Sequence, residues 1–205
     1  MSQRQKMNNE NGIRIDIIII TYNSIKWISN CLKSISKSSY PKEKISVIIV
    51  DNSSSDGTCE MLDDYNSCFG SFELIRNGKN LGFGKANNIG ARHAISDCLL
   101  FLNPDTEIHE DAMKELMFCF ESDEKDIALW ELRQFPYEHP KCYNPVTLES
   151  SWSSAAACMV RKSAFTEIGG FDENIFMYCE DVDLSWRLKA NGYKLKYVPK
   201  AIVYH

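Results

Sequence analysis

A chain of 205 residues, 44% hydrophobic and 25% charged, is long enough for one domain with a substantial core. Its net charge of −5 leaves no basic footprint for a nucleic-acid partner. No apolar run approaches the roughly 20 residues that a membrane-spanning helix needs. Eight cysteines are scattered without a Cys-x-x-Cys pair, several in apolar runs, and read as reduced, buried thiols of a cytosolic protein. Residues 1–12 are polar and lack the apolar centre of a signal peptide, so a disordered tail is expected there.

Ile15–Ile20 reads as a buried strand that ends in Thr21-Tyr22-Asn23. Ser24 is placed to cap a helix reaching about Ser38, with Ile28, Leu32 and Ile35 at helical spacing. A second β-branched run, Ile45–Val50, ends in the polar stretch Asp51–Thr58. A short helix to about Asn66 follows, its inner face Met61, Leu62 and Tyr65, and then a strand over Phe72–Arg76. Asn80–Gly90 begins as a glycine loop and passes into a helix ending near Ala94. Leu99–Leu102 predicts the central strand, closed by Asn103-Pro104, because proline supplies no ladder donor. Asp105 is the first carboxylate beyond it.

A helix over His109–Phe120 comes next, then a fifth strand over Ile127–Leu132. From Arg133 to Ser151 the pattern fails, with three prolines and no period, as in a long functional loop. Ala155–Val160 reads as a strand, followed by a short helix to Ile168 and the turn Gly169-Gly170. Glu180–Lys189 is helical, with Trp186 assigned to the core and Asn191-Gly192 as its stop. Two short strands, Lys194–Val198 and Ile202–Tyr204, close the chain. It stops inside the second, which predicts a longer parent protein.

Repeated strand–helix alternation predicts an α/β fold, a mostly parallel central sheet with helices on both faces. Ligands sit at the carboxyl edge of such sheets. There the clusters Thr21–Asn23, Asp51–Thr58 and Asn103–Asp105 should converge; a fourth polar cluster, Glu180–Asp183, stands at a predicted helix start. Acids gathered without a basic surround repel one another unless a cation or proton is shared, and a divalent metal carrying a diphosphate meets that need. The Gly82/Gly84 loop lets backbone approach a ligand, with Arg76, Lys79 and Lys85 nearby, but it lacks the Gly-Lys-Ser/Thr of a P-loop. Asp56 reads as a cap, and His93, His109 and His139 as surface or loop residues.

Six motifs stand in one order: Ile19-Ile20-Thr21-Tyr22-Asn23, Val50-Asp51-Asn52-Ser53-Ser54-Ser55-Asp56-Gly57-Thr58, Asn80-Leu81-Gly82-Phe83, Leu102-Asn103-Pro104-Asp105-Thr106, Gly169-Gly170-Phe171-Asp172-Glu173 and Tyr178-Cys179-Glu180-Asp181-Val182-Asp183-Leu184-Ser185-Trp186-Arg187. Together they resemble family 2 glycosyltransferases of the rhamnosyltransferase-like branch, over roughly residues 13–205. The resemblance implies one GT-A domain, a dTDP- or UDP-sugar donor, Mn2+ or Mg2+, and inversion at the anomeric carbon. Thr21, Tyr22, Asn23, Asp51, Asn80, Gly82, Lys85, Asn87 and Asn103 are implied at the nucleotide, Asp51 accepting from N3–H of a uracil or thymine ring. Asp105 and His205 are implied at the metal, although Asn103 stands where the Asp-any-Asp motif begins with an acid. Asp181 is implied as the base and Glu180, with Trp152, as a donor or acceptor contact; Asp183 anchors the helix start. Ala155-Ala156, where relatives often carry glycine, implies a narrower sugar pocket.

The implied activity is transfer of a sugar to a glycan or lipid-linked acceptor in bacterial surface polysaccharide synthesis. The implied setting is the cytoplasm or the inner face of the plasma membrane, with peripheral association through a missing C-terminal part. A catalytically inactive nucleotide-sugar-binding scaffold and a nucleotidyltransferase are the competing readings. The latter lacks a basic glycine-rich loop after the first strand.

Overall fold

Strands buried on both faces need unbroken apolar runs, and β1 (Ile15–Thr21) and β2 (Ile45–Asp51) are buried at every position. The computed structural model describes residues 13–65, 67–138 and 142–205. The expected tail over residues 1–12, the helix end at Asn66, and His139 lie outside the described residues. In chain order the elements are β1, α1 (Ile28–Ser36), β2, α2 (Thr58–Leu62), β3 (Ser71–Arg76), α3 (Phe83–His93), β4 (Cys98–Leu102), β5 (Glu107–Ile108), α4 (Ala112–Ser122), β6 (Ile127–Phe135), β7 (Ala157–Arg161), α5 (Lys162–Glu167), α6 (Glu180–Ala190) and β8 (Lys194–Tyr204).

The eight strands form one sheet in the order β3-β2-β1-β4-β7-β6-β8-β5. The pairs β1–β2, β2–β3, β1–β4 and β6–β8 are parallel, while β7 against β4 and β6, and β5 against β8, are antiparallel. Successive residues of β1 face opposite sides, so Ile15, Ile17 and Ile19 pack with Leu32 of α1 and Leu116 of α4. Ile18 and Ile20 join Ala86 of α3, Phe165 of α5 and Leu184 and Leu188 of α6 in the other core. Helices therefore cover both faces, as the alternation predicts. Asp16, buried within β1, accepts from the backbone N–H groups of Ile95 and Ser96, each at 2.6 Å, and so fixes the turn between α3 and β4.

Several expectations need correction. Ser24 does not cap α1 with its side chain; its Oγ accepts from Tyr22 N at 3.2 Å, and Trp27 occupies the cap position. The helix expected from His109 starts at Ala112, because Glu107–Ile108 pair with Tyr204 and Val203 and His109 N donates to the Ile202 carbonyl. The irregular stretch begins three residues late, since Arg133–Phe135 continue β6 beside β8. The two closing strands are one, β8, with a register irregularity opposite Leu132 and Arg133 that absorbs Pro199–Ala201. Trp186, assigned to the core, is 66% exposed; Leu184, Ser185 and Leu188 carry the buried face of α6 instead. None of the eight cysteines is in a disulfide, but only Cys31, Cys98 and Cys158 are buried. Burial pushes the Cys31 thiol up to about 12. Among the described residues no helix is long and apolar enough to cross a membrane.

Gly90 is a point of close approach between α3 and the sheet. A Cβ there would lie 2.6 Å from Ile18 Cγ2 and 3.3 Å from Val50 Cγ2. Gly90→Ala is expected to lower stability by about 1–3 kcal/mol through overpacking, read as a reduced midpoint in urea unfolding with the slope unchanged.

Candidate active site

The parallel strands β1, β2 and β4 end at one edge, and the turns after β1 and β2 are tied together there. Thr21 Oγ1 donates to Asp51 Oδ1 at 2.8 Å, and Ser54 donates to both Asp51 oxygens, from Oγ at 2.5 Å and from N at 2.8 Å. Asp51 is 1% exposed. Burial pushes its carboxyl up, but the bonds from Ser54 and Thr21 outweigh that and hold it below its ordinary value. Asn23, with φ +53°, donates from N to Ser54 Oγ at 2.8 Å and accepts from Ser55 N at 2.9 Å. Asp56 accepts from Ile25 N and from Thr58 N and Oγ1, and so acts as a structural clamp between the two turns.

Asn52, which the sequence reading did not single out as a site residue, organises the next loop. Its N donates to the Thr21 carbonyl, its Nδ2 to the Gly82 carbonyl, and its Oδ1 accepts from Asn77 Nδ2. Asn80 Oδ1 accepts from Gly82 N at 2.9 Å. Gly82 has φ +83°, and a Cβ there would sit 2.4 Å from the Phe176 carbonyl oxygen, so both backbone conformation and space require glycine. Phe83 N donates to the same Phe176 carbonyl at 3.0 Å.

That contact sets the segment leading into α6. Tyr178 and Cys179 both have φ +68°, a left-handed conformation that non-glycine residues adopt at a cost. The turn brings Glu180 and Asp181 to the cleft. Asp181 Oδ1 accepts from Val182 N at 2.8 Å and Oδ2 from Ala155 N at 3.4 Å. Glu180 is 8% exposed, and its Oε2 has no hydrogen-bond partner. Burial outweighs a hydrogen bond from its own backbone N–H and, with the Asp181 charge adding to it, pushes its carboxyl above the ordinary carboxylate value. Asp183 instead pairs with Arg187 one turn on, at 2.6 Å.

These elements enclose a cleft of about 540 Å³. Of the residues singled out in the sequence, Tyr22, Asn23, Asn80, Gly82, Asn103, Asp105, Glu180, Asp181 and His205 line it. Thr21 and Asp51 lie buried behind that lining. Lys85, Asn87 and Trp152 do not line it. The Lys85 ammonium stands 3.1 Å from Glu173, and Asn87 Nδ2 donates to the Phe83 carbonyl within its own helix. Trp152 is half-buried. The exposed aromatic residues on the cleft are instead Trp27, 54% exposed, and Tyr178, 78% exposed, beside Tyr22. The irregular spacing of these aromatics gives no sequence signal for their convergence. Ala155 and Ala156 do line the cleft.

Pairing of β5 with β8 brings His205 to the turn after β4, where its Nε2 lies 3.6 Å from Asp105 Oδ1. Each group favours the charged form of the other: His205 holds Asp105 below its ordinary value, and Asp105 raises His205. Among the described residues no group of three or more His, Cys, Asp or Glu side chains is placed to hold a metal ion. A carboxylate and an imidazole on an open cleft nevertheless suit a divalent ion whose other positions are filled by phosphate oxygens and water.

A mostly parallel sheet with acidic and amide side chains at the ends of its parallel strands defines the GT-A class. Staphylococcus aureus TarS, residues 1–349, superposes with a TM-score of 0.79 at 21% identity, covering 94% of this chain and 60% of that one. The mannosyltransferase PcManGT from Pyrobaculum calidifontis, solved with GDP-Man and Mn2+, gives 0.78 at 17% identity, covering 96% of this chain and 57% of that one. The chain thus spans about three fifths of each solved protein. Glycosyl transferase family 2 matches residues 16–172, and the chain belongs to that family. An N-acetylglucosaminyl-diphospho-decaprenol L-rhamnosyltransferase of Mycobacterium tuberculosis is 28% identical over 93% of this chain and 75% of its own length. The rhamnosyltransferase WbbL of Escherichia coli is 28% identical over 89% of this chain and 80% of its own.

The Asp51 network makes a prediction for stability. A folded carboxyl held below its unfolded value of 3.8 stabilises fully above that value, and the contribution is lost as pH falls through the lowered folded value. Asp51→Asn is expected to be about 1–3 kcal/mol less stable at pH 7. That deficit should shrink in urea titrations run progressively below pH 3.8.

Proposed function

We propose that residues 13–205 act as one GT-A domain of a metal-dependent inverting glycosyltransferase. It moves a sugar from a UDP- or dTDP-sugar to a glycan or lipid-linked acceptor in the building of a bacterial surface polysaccharide. The observation that carries this reading is the placing of Asp105, His205, Glu180 and Asp181 on one cleft, with Tyr22 and Asn23 at its other end. The rhamnosyltransferase relatives support the polysaccharide setting, and a decaprenol-linked substrate in the name of one supports a lipid-linked acceptor.

Asp51, Thr21 and Tyr22 hold the nucleoside in this reading. The Asp51 carboxylate, which accepts from Ser54 N at Oδ2, also accepts from the N3–H of a uracil or thymine ring in this reading. Asn23, Asn80, Gly82 and Asn103 border the sugar-nucleotide along the cleft. Asp105 and His205 would hold Mn2+ or Mg2+, which when bound supplies positive charge to the departing diphosphate. Asp181 accepts the proton of the acceptor hydroxyl as that oxygen attacks the anomeric carbon from the face opposite the leaving group. Its two N–H partners keep the carboxylate oriented. Lys85 and Asn87 act at one remove, through the packing of α3, rather than on the nucleotide.

A catalytically inactive nucleotide-sugar-binding subunit is the second reading, favoured by Asn103 where the metal motif begins with an acid. Two measurements separate them. UDP or dTDP at 100 times its dissociation constant with Mn2+ should stabilise the fold by about 2.7 kcal/mol in thermal unfolding, and EDTA should abolish the shift. Asp181→Asn should leave that shift intact and lower kcat by about 10²–10⁴. Unchanged turnover in the variant would remove Asp181 from the reaction.

A further inference from the structure

We propose that Ser185 is a positioning residue for Asp181: it ties the segment Ser153–Ala156 to α6, so that the Ala155 N–H holds the Asp181 carboxylate in place. The inference rests on the reading of Asp181 as the base, but the contacts that carry it involve no ligand.

β7 begins only at Ala157, and the N–H groups of the four residues before it donate to side chains. Ser153 N donates to Ser185 Oγ at 3.1 Å, and Ser154 N to Glu131 Oε1 at 3.1 Å. Ala155 N donates to Asp181 Oδ2 at 3.4 Å, and Ala156 N to Ser154 Oγ at 3.3 Å. Two of those four acceptors, Asp181 and Ser185, stand on α6 about one turn apart, on the same face. Four residues of helix rise about 6 Å, and two residues of chain reach at most about 7 Å. One turn of α6 therefore matches the step from Ser153 to Ala155. Ser153 meets the later helix residue and Ala155 the earlier one, so the segment crosses α6 in the opposite sense, held at two rungs. Ser154, Ala155 and Ala156 line the cleft, whereas Ser153 and Ser185 are buried and do not.

A hydroxyl suits this task because it has one proton to give and two lone pairs to offer. The Ser185 proton goes to the Asp181 carbonyl oxygen at 2.7 Å, one turn back, which leaves the oxygen to accept from Ser153 N. The Asp181 carboxylate is held at Oδ1 by Val182 N, a neighbour on its own helix, at 2.8 Å. Its Oδ2 is held from outside the helix, by Ala155 N. At 3.4 Å that bond is near the limit of a hydrogen bond, so a small drift of the segment breaks it. The Ser153–Ser185 rung stops the drift. A base must keep its oxygen within hydrogen-bond reach of the hydroxyl it deprotonates, and a misplacement of about 1 Å costs on the order of 10²-fold in rate.

Ser185→Ala, assayed in the whole chain with Mn2+ and donor, should lower kcat by about 10–100-fold and leave the donor KM within about 3-fold. The loss should nearly vanish when Ser185→Ala is added to Asp181→Asn, since a residue that acts through Asp181 then has nothing left to position. A kcat within about 3-fold of the native protein in Ser185→Ala, or an equal loss in the Asp181→Asn background, overturns the proposal. If alanine leaves too little folded protein, Ser185→Cys keeps the volume with a weaker donor and acceptor, and the same comparisons apply. Amide hydrogen exchange reads the geometry without activity. In Ser185→Ala the Ala155 N–H should exchange about 10-fold faster or more, with the β1 amides unchanged. Unchanged exchange at Ala155, or an acceleration shared equally by β1, overturns the proposal. If the native protein transfers no sugar from any donor, the transferase reading fails, and exchange at Ala155 still decides whether Ser185 holds that segment on Asp181.

Discussion

In-register parallel pairing of β1 with its two neighbours is the constraint from which the site follows. β1 pairs with β2 from Ile15 opposite Ile45 to Thr21 opposite Asp51, so the hydroxyl and the carboxylate finish side by side. The same β1 pairs with β4 only as far as Ile19 opposite Leu102. It therefore runs two residues beyond β4, and the turn Asn103–Asp105 starts lower along the edge than Tyr22 and Asn23. One strand sets both depths of the cleft. The stability of that strand is hydrophobic burial on two faces, and the polar turns take their positions from it.

The antiparallel part of the sheet completes what the parallel part begins. β7 runs back along β4, and Asn103 N donates to the Ala156 carbonyl at the point where the two diverge. The segment before β7 then faces α6: Ser153 N donates to Ser185 Oγ, and Ala155 N to Asp181. On the far side β8 returns beside β6, and its last residues pair with β5, immediately after the β4 turn. Those pairings bring residues from positions 103, 155, 181 and 205 to one place. Nothing local could do so.

This distinction explains what could be read from the chain alone. The four-residue apolar runs of β1, β2 and β4 and their polar endings are local signals, so the strand ends that carry Thr21, Asp51 and Asp105 were legible. β5 is two residues long and carries no periodicity, yet it decides where His205 lies. The register irregularity in β8 hides one strand as two, because Pro199 interrupts the pattern without breaking the ladder. Trp186 failed for another reason. Its helix has a narrow buried face, Leu184, Ser185 and Leu188, and a tryptophan two residues from Leu184 falls outside it. Trp152 and Trp27 illustrate the same limit from the other side, since an aromatic residue in a loop has no period from which to infer its direction.

A continuous series of short contacts joins the two ends of the cleft. Asn52, held by the Thr21 carbonyl at the end of β1, donates to the Gly82 carbonyl. Gly82 packs against Phe176, and Phe83 N donates to the Phe176 carbonyl. Two residues on, Tyr178 and Cys179 take the left-handed conformation that turns Glu180 and Asp181 inward. The strained turn is thus held from outside, through Asn52 and Gly82, as well as by its own helix, where Asp183 N donates to the Cys179 carbonyl. Space at Gly82 is the narrow point of that series. A side chain there would press on the Phe176 carbonyl and shift the turn that places both carboxyl groups. The requirement for glycine at position 82 therefore belongs as much to the wall that carries Glu180 and Asp181 as to its own loop.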